Sequence, residues 1–205
     1  MSSKQKYIFA VLLILAFSLT RLLPGQIPFG LSPVYAIAFC CGVYFRNRMG
    51  WILPMAAMLV TDVVLNTLYY DKPAFNAGML IIYAAVALMI AVGRRFKKES
   101  PAWKLLGGGL LGAILFYLIT NTAAWLSNPL YAKTLLGWIK ALTVGIEGFP
   151  PTWMFFKNTL LSSGLFTGLF VGAMKWAEAS DPVEAEDREE QEDEAPDLEP
   201  EEGKA

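Results

Sequence analysis

One carboxylate stands inside an apolar segment of this chain, and the residues around it could bind a polar solute. Asp62 is the only acidic residue in the run from Gly50 to Tyr70. A charged side chain inside a bilayer costs roughly 2.5–3.5 kcal/mol on insertion scales, so intramembrane carboxylates usually serve binding or transport. On an ideal helix Asp62, Asn66 and Tyr69 share one face. We therefore predict a polar stripe that faces protein or water.

Other polar and aromatic side chains lie at or above the level of Asp62. This residue sits about 12 Å below the outer end of its helix, at 1.5 Å per residue. On another predicted helix Asn121 and Trp125 share one face. A channel would need polar groups through the full bilayer, so we predict a pocket that opens on the outer side. Arg21 either pairs with Asp62, joins it in holding a ligand, or reaches the headgroups; the alternative for Trp125 is an interfacial role.

The composition predicts an all-α integral membrane protein. Of the 205 residues 55% are apolar, and they form runs of about 17–24 residues, the length that a helix needs to cross a bilayer. We predict a bundle of six transmembrane helices, the first of which is retained and not cleaved as a signal peptide. The predicted spans are Tyr7–Leu23, Leu31–Phe45, Trp51–Tyr70, Phe75–Arg95, Trp103–Trp125 and Thr152–Trp176.

Basic residues favour one side of this bundle. The dense clusters, Arg46 with Arg48 and the loop from Arg94 to Lys104, fall on the side that also holds both chain ends. Because basic loops stay in the cytoplasm, we predict a multi-pass protein of the bacterial cytoplasmic (inner) membrane with both termini cytoplasmic. The predicted external loops are Pro24–Gly30, Asp71–Ala74 and Leu126–Pro151.

Charge is divided unequally along the chain. Most of the 18 acidic residues lie in 178–205, whereas residues 1–177 are strongly basic. We predict a transmembrane helical bundle over 1–177 and a disordered acidic cytoplasmic tail over 178–205. The tail either only solubilises the protein or binds a basic surface, on a partner or on the loop from Arg94 to Lys104.

The last external loop carries a helical pattern of its own. Over 131–150 leucine and isoleucine recur on one face, which is typical of an amphipathic helix at the membrane interface. A seventh span is the alternative, but it would bury Lys140. We expect the interfacial helix to lie over the pocket as a lid, in contact with Tyr131, Trp138 and Trp153.

Histidine and cysteine usage excludes several chemistries. The chain has no histidine, which removes Ser-His catalysis and most catalytic metal sites. Cys40 and Cys41 are adjacent, a spacing that suits neither a structural disulfide nor a zinc site, so we predict a packing role. No second intramembrane carboxylate joins Asp62 in a dyad. We predict no enzyme activity, no catalytic residue, no metal and no cofactor.

Small residues recur every four positions on the predicted helices. Gly164, Gly168 and Gly172 follow this spacing on the sixth helix, and Gly108 and Gly112 follow it on the fifth. Such patterns let helices approach closely. We predict that these glycines pack within the bundle, and the alternative is a docking surface for another membrane subunit.

Three stretches resemble a family of small uncharacterised bacterial membrane proteins. They are SLTRLLPGQIPFGLSPVYAIAFCCGVYF, LPMAAMLVTDVVL, and FYLITNTAAWLSNPLYAKTLLGWIKAL followed by GFPPTW. In architecture that family is similar to the S components, the substrate-binding subunits, of energy-coupling factor transporters. The resemblance implies capture of a vitamin or another micronutrient and docking on a transmembrane coupling subunit with ATPases. It also implies an outer cavity that binds the solute, formed by Arg21, Asp62, Asn66, Asn121, Trp125 and Trp153. From the predicted lid we add Tyr131 to these substrate-binding residues.

We therefore expect a membrane protein that binds a small solute in its outer half as the substrate-capture component of a transporter. Its expected partners are the lipid bilayer, the solute and a coupling subunit, and we expect no nucleic acid. The alternative is a non-transporting interaction or assembly protein that recruits partners through its glycine ridges and acidic tail. A membrane-embedded enzyme ranks third.

Overall fold

The computed structural model describes residues 3–23 and 31–179, and all regular structure in these ranges is helical. Proline and capping residues mark the starts of several of these helices. Pro33 and Pro101 precede the second and fifth helices, and the Thr134 hydroxyl accepts a bond from the Gly137 N–H at 3.2 Å to cap the sixth. The helices are α1 Ser3–Thr20, α2 Val34–Tyr44, α3 Met49–Val64, a π-helix Leu65–Tyr69, α4 Gly78–Gly93, α5 Ala102–Ser127, α6 Leu135–Leu142 and α7 Thr152–Ala179.

Among the described residues three stretches are long and apolar enough to cross a membrane: α3 with the π-helix, α5 and α7. The apolar helices α2 and α4 are shorter, about 16 Å and 24 Å at 1.5 Å per residue. Large apolar side chains such as Leu12, Val60 and Leu111 cover the outside of the bundle, as contact with lipid requires. The helical architecture is thus confirmed for the described residues and is consistent with a membrane protein, whereas the total of six spans stays a prediction.

Helix α2 is the centre of the bundle. It packs against α1, α3, α4, α5 and α7, and all residues from Ala36 to Val43 are buried. Burial on every side explains why this helix is apolar on every face. Cys40 and Cys41 are buried free thiols, which confirms their predicted packing role.

Helices α2 and α4 approach each other at two glycines. A Cβ added at Gly42 would lie 2.3 Å from the Ile90 carbonyl oxygen, and one at Gly93 would lie 2.2 Å from the Phe39 carbonyl oxygen. Both contacts are with backbone, which cannot rotate away. The helices therefore need glycine at both positions to pack at this distance.

Two of the three glycines of α7 face away from the bundle, whereas a Cβ added at Gly164 would lie 3.7 Å from the Leu110 side chain of α5. The predicted internal packing is confirmed for Gly108 and Gly112 of α5, which are buried. It is wrong for Gly168 and Gly172, because a Cβ added at either would have no neighbour within 4 Å among the described residues. Helix α7 turns hydroxyl groups inward instead, and Ser163 donates to a carbonyl of α5 at 2.8 Å. Spacing tells which residues share a face but not which way that face points.

Most helix ends lie within a few residues of the predicted ones. Helix α4 begins at Gly78 and not at Phe75, after a turn in which Asp71 has a φ of 50°. Helix α6 is about 12 Å long, too short to cross a bilayer, so the alternative of a seventh span is wrong and a short helix stands in its place. Residues 24–30 of the first external loop and the acidic tail from residue 180 lie outside the described residues.

Candidate functional site

An ion pair between α1 and α3 is the main polar feature of one end of the bundle. Arg21 Nη2 lies 2.6 Å from Asp62 Oδ1, and both side chains are 15% exposed. The guanidinium also donates through Nη1 to the Thr61 hydroxyl. At this burial each charge depends on the other, because an unpaired charge here would be poorly solvated. Of the roles left open for Arg21, pairing with Asp62 is confirmed.

Thr61 and Tyr83 complete the ion pair, and neither was predicted from the sequence. Tyr83 of α4 donates its hydroxyl hydrogen to Asp62 Oδ2 at 3.1 Å, so both carboxylate oxygens have a partner. The Thr61 hydroxyl accepts from Arg21 and donates to the Ala57 carbonyl at 2.9 Å. A hydroxyl directly beside Asp62 was a usable signal, whereas nothing in the sequence pairs α4 with this position. We call Arg21, Thr61, Asp62 and Tyr83 the Arg21 cluster.

The cluster combines a terminal turn with the interiors of two helices. Arg21 lies in the turn after α1, where its N–H bonds to the Ser18 carbonyl at 3.1 Å. Asp62 lies two residues before the end of α3, and the π-helix continues the chain. Tyr83 lies inside α4. Arg21 is therefore the member whose backbone is least fixed by helical hydrogen bonds.

The π-helix breaks the predicted stripe of Asp62, Asn66 and Tyr69. Its wider turn shifts the facing of the residues that follow α3, and such segments are uncommon outside functional sites. The Asn66 side-chain amide donates to the Ala74 carbonyl at 3.2 Å, and Tyr69 is 55% exposed. Asn66 therefore holds the loop after its helix and does not join the Arg21 cluster.

A small cavity lies beside the cluster. Arg21, Ser18, Pro54 and Met58 are among the residues that line it, and its volume is about 10 Å³. That is roughly the space of one water molecule. A solute of vitamin size does not fit beside the closed ion pair. To bind one, the turn that carries Arg21 would have to move away from Asp62.

Other predicted site residues fix the chain after α5. Trp125 donates its indole N–H to the Ala132 carbonyl at 2.9 Å, and Asn121 donates to a carbonyl of its own helix at 2.9 Å. Tyr131, in the following loop, is buried. These three predicted residues lie near one another in the fold, but the side-chain hydrogen bonds of Asn121 and Trp125 go to backbone carbonyls of α5 and its loop.

Helix α6 does not cover the Arg21 cluster. Within the described ranges it packs only on α5 and α7, and Trp138 donates its indole N–H to Thr122 at 2.9 Å. Trp153 is 52% exposed, with the Lys157 ammonium 5.8 Å from its ring centre. The single predicted pocket is thus divided into the Arg21 cluster and a separate group beside α6.

The Arg21 cluster places hydrogen-bond donors and acceptors side by side. Its guanidinium offers several N–H donors to an anionic or carbonyl oxygen, and its carboxylate accepts from a hydroxyl or an amine. Charge-assisted hydrogen bonds of this kind are about twice as strong as neutral ones. A solute with an acceptor and a donor side by side would therefore match it.

A sequence model of a protein family of unknown function (DUF6580) matches residues 1–185. The chain belongs to this family. No curated protein and no solved structure matches the chain. The match confirms the resemblance to an uncharacterised family. It does not bear on the likeness to S components, which stays a prediction.

Proposed function

We propose that this family member binds a small polar solute at the Arg21 end of its bundle and serves as the substrate-capture component of a transporter. The observation that carries the proposal is the Arg21–Asp62 pair, 15% exposed within an apolar bundle. An apolar replacement of a buried ion pair is often as stable as the pair itself. Stability alone is therefore a weak reason for such a pair, and intramembrane charges commonly mark substrate sites.

In this proposal the solute replaces the direct contact between the two charges. An acceptor group of the solute takes the Arg21 donors, and a donor group faces Asp62, whose second oxygen stays bonded to Tyr83. Both charges keep a partner throughout, so opening the pair does not leave an isolated charge in the bundle. In this proposal the cavity of about 10 Å³ belongs to the closed form of the site, in which the two charges contact each other directly.

Ligand screening tests this function. Vitamins, nucleobases and amino acids are added to the purified full chain while its melting temperature and tryptophan fluorescence are recorded. A ligand at 100 times its dissociation constant adds about 2.7 kcal/mol of stability. We expect Arg21→Gln combined with Asp62→Asn to lose the response, because the double variant removes both anchors without leaving a lone charge.

The matched control is Asp71→Asn, in an exposed loop where asparagine tolerates the positive φ. This variant should respond like the unaltered chain. A response that survives in the double variant would place binding away from the Arg21 cluster. If no compound in the screen gives a response, this result would support the alternative function of recruiting a membrane partner, described below.

We also propose the six-span topology, with both termini in the cytoplasm of a bacterium. Supporting it, the start of α1, the loops after α2 and α4 and the end of α7 meet at one end of the bundle. We call this the basic end, and its residues include Lys6, Arg46, Arg94 and Lys98. In intact cells Arg48→Cys and Lys97→Cys should resist an impermeant thiol reagent, whereas Lys72→Cys and Asn128→Cys should react.

The two native cysteines are buried, so they should add little background to that labelling. Reaction of Lys97→Cys from outside would overturn the topology.

A second candidate function is supported by the outward face of α7. Gly168 and Gly172 are exposed beside Leu165 and Leu169, and small residues on a membrane helix favour close contact with another helix. The chain would then recruit a membrane partner without binding a solute. A photo-crosslinking residue at Leu169 should join the partner, and Gly168→Leu should prevent this while Arg21 and Asp62 variants do not.

A further inference from the structure

A larger cavity lies at the basic end, away from the Arg21 cluster. Its volume is about 190 Å³, against about 10 Å³ for the cavity beside Arg21. By the same measure one water needs roughly 10–15 Å³, so this cavity has room for a small chemical group. It is lined by Lys6, Tyr7, Ala10, Tyr44, Phe45, Lys98, Met174 and Glu178.

The polar part of this lining suits a phosphate. Lys6 and Lys98 bring two ammonium groups to a lining in which Glu178 supplies the carboxylate, and Lys98 also lies 3.9 Å from the exposed carboxylate of Glu99. Lysine is a common phosphate ligand. The Tyr44 hydroxyl is buried and has no hydrogen-bond partner within the described part of the chain, although buried polar groups nearly always have one. A phosphate oxygen would supply an acceptor for it.

The position of the cavity points to a lipid as the source of that phosphate. Its walls are the first turns of α1 and the last turns of α7, which are helix ends and not helix middles. Tyr7 and Trp176 are exposed at the same level, at 39% and 67%, and tyrosine and tryptophan concentrate where a bilayer meets water. Ala10 and Met174 form an apolar floor. A headgroup in that leaflet would therefore reach the cavity sideways.

We propose that this cavity binds the headgroup of an anionic phospholipid. Lys6 and Lys98 hold its phosphate, and Glu178 accepts hydrogen bonds from headgroup hydroxyls such as those of phosphatidylglycerol. The exposed Lys98–Glu99 contact neutralises little charge, so the two cations and one carboxylate of the lining favour a headgroup with net negative charge over a zwitterionic one. The site is separate from the Arg21 cluster, so it stands whether or not the chain captures a solute.

Native mass spectrometry of the full chain tests this site. The protein is equilibrated with equal amounts of phosphatidylglycerol and phosphatidylcholine of the same acyl length, and the lipid that stays bound is counted. We expect the unaltered chain to retain phosphatidylglycerol about tenfold better. Lys6→Gln combined with Lys98→Gln should bring this ratio close to one, and Lys6→Arg combined with Lys98→Arg should preserve it.

The matched control is Lys97→Gln combined with Lys104→Gln. It removes the same charge from the same end, but neither lysine lines the cavity. Its retention ratio should match that of the unaltered chain. Equal loss in both double variants would mean general attraction between basic loops and anionic lipid, and would overturn the site.

Two further measurements complete the test. Ala10→Leu keeps every charge but fills part of the cavity, so it should also lower phosphatidylglycerol retention; unchanged retention would contradict binding inside the cavity. Millimolar glycerol phosphate or inorganic phosphate should fail to displace the bound lipid. Displacement by either would show that the site takes soluble phosphates, and would overturn the lipid assignment.

Discussion

The two ends of the bundle hold their charges in opposite ways. At the Arg21 end a cation and an anion neutralise each other at 2.6 Å, and both are 15% exposed. At the basic end two arginines contact backbone instead: Arg94 donates to the Arg46 carbonyl at 2.7 Å, and Arg46 donates to the Arg94 carbonyl. These carbonyls lie at the ends of α2 and α4, where the helix dipole favours positive charge.

This difference separates charge that the fold depends on from charge that is available to partners. Arg21 and Asp62 lie among apolar neighbours and pair with each other, so removal of one leaves the other as an unpaired, poorly solvated charge. Arg46 is exposed to water, which can replace a lost contact. The basic end is held mainly by the close backbone approach at Gly42 and Gly93. We therefore expect the arginines of the basic end to contribute less to the fold than the Arg21–Asp62 pair does.

The largest expected effect is the loss of one charge from the Arg21 end. Asp62→Asn or Arg21→Gln should each lower the free energy of unfolding by about 3–5 kcal/mol, because each leaves an uncompensated buried charge. Combining the two should recover a large part of that loss. Unfolding of the purified chain in detergent measures all three. Simple addition of the two losses in the double variant would mean that the pair is not coupled.

The next effect concerns how the basic end is held. Gly42→Ala would place a Cβ 2.3 Å from the Ile90 carbonyl oxygen, so we expect α2 and α4 to separate at a cost of about 2–3 kcal/mol. Gly168→Ala is the control, since its Cβ would meet no described atom within 4 Å. That variant should be neutral or more stable by up to about 1 kcal/mol. Equal stability of the two variants would contradict the backbone contact.

A smaller effect should follow removal of the second partner of Asp62, Tyr83. Tyr83→Phe deletes the hydrogen bond to Oδ2 but leaves the ion pair in place. A bond to a charged group contributes about 1.5–3 kcal/mol, and we expect the lower value because Tyr83 is partly exposed. Tyr69→Phe, on an exposed ring, should change stability by less than about 0.5 kcal/mol. Similar losses in both tyrosine variants would remove Tyr83 from the cluster.

The helices could be predicted from the sequence because their signals are local. The length of an apolar run, the prolines at 33 and 101 and the capping Thr134 all act within a few residues of the feature that they set. The ion pair could be anticipated as well, because a lone acid and a base at a similar depth in an apolar bundle have few other partners. Neither inference required knowledge of how the helices pack.

What could not be predicted depends on packing between helices. Tyr83 reaches Asp62 only because α4 lies beside α3, and no spacing in the sequence encodes that neighbour. Likewise, the four-residue spacing of the glycines on α7 does not determine that Gly168 faces outward. The π-helix after Asp62 was not predicted either, because Asn66 and Tyr69 were placed on one face by assuming an ideal α-helix.

The smallest effect should come from the arginines of the basic end. Arg94→Gln removes the bonds to the carbonyls of Arg46 and Phe45, at 2.7 and 3.4 Å. Because this helix end is partly open to water, which can bond the released carbonyls, we expect a loss of about 0.5–1 kcal/mol. Arg95→Gln, exposed and next in sequence, should change stability less, and unfolding in the same detergent compares the two variants.

High salt should weaken the Arg94 contribution to stability more than that of Asp62, since exposed charges are screened more strongly than buried pairs. If Arg94→Gln instead costs as much as Asp62→Asn, the two ends do not differ in the way proposed, and the cations of the basic end are part of what holds the bundle together.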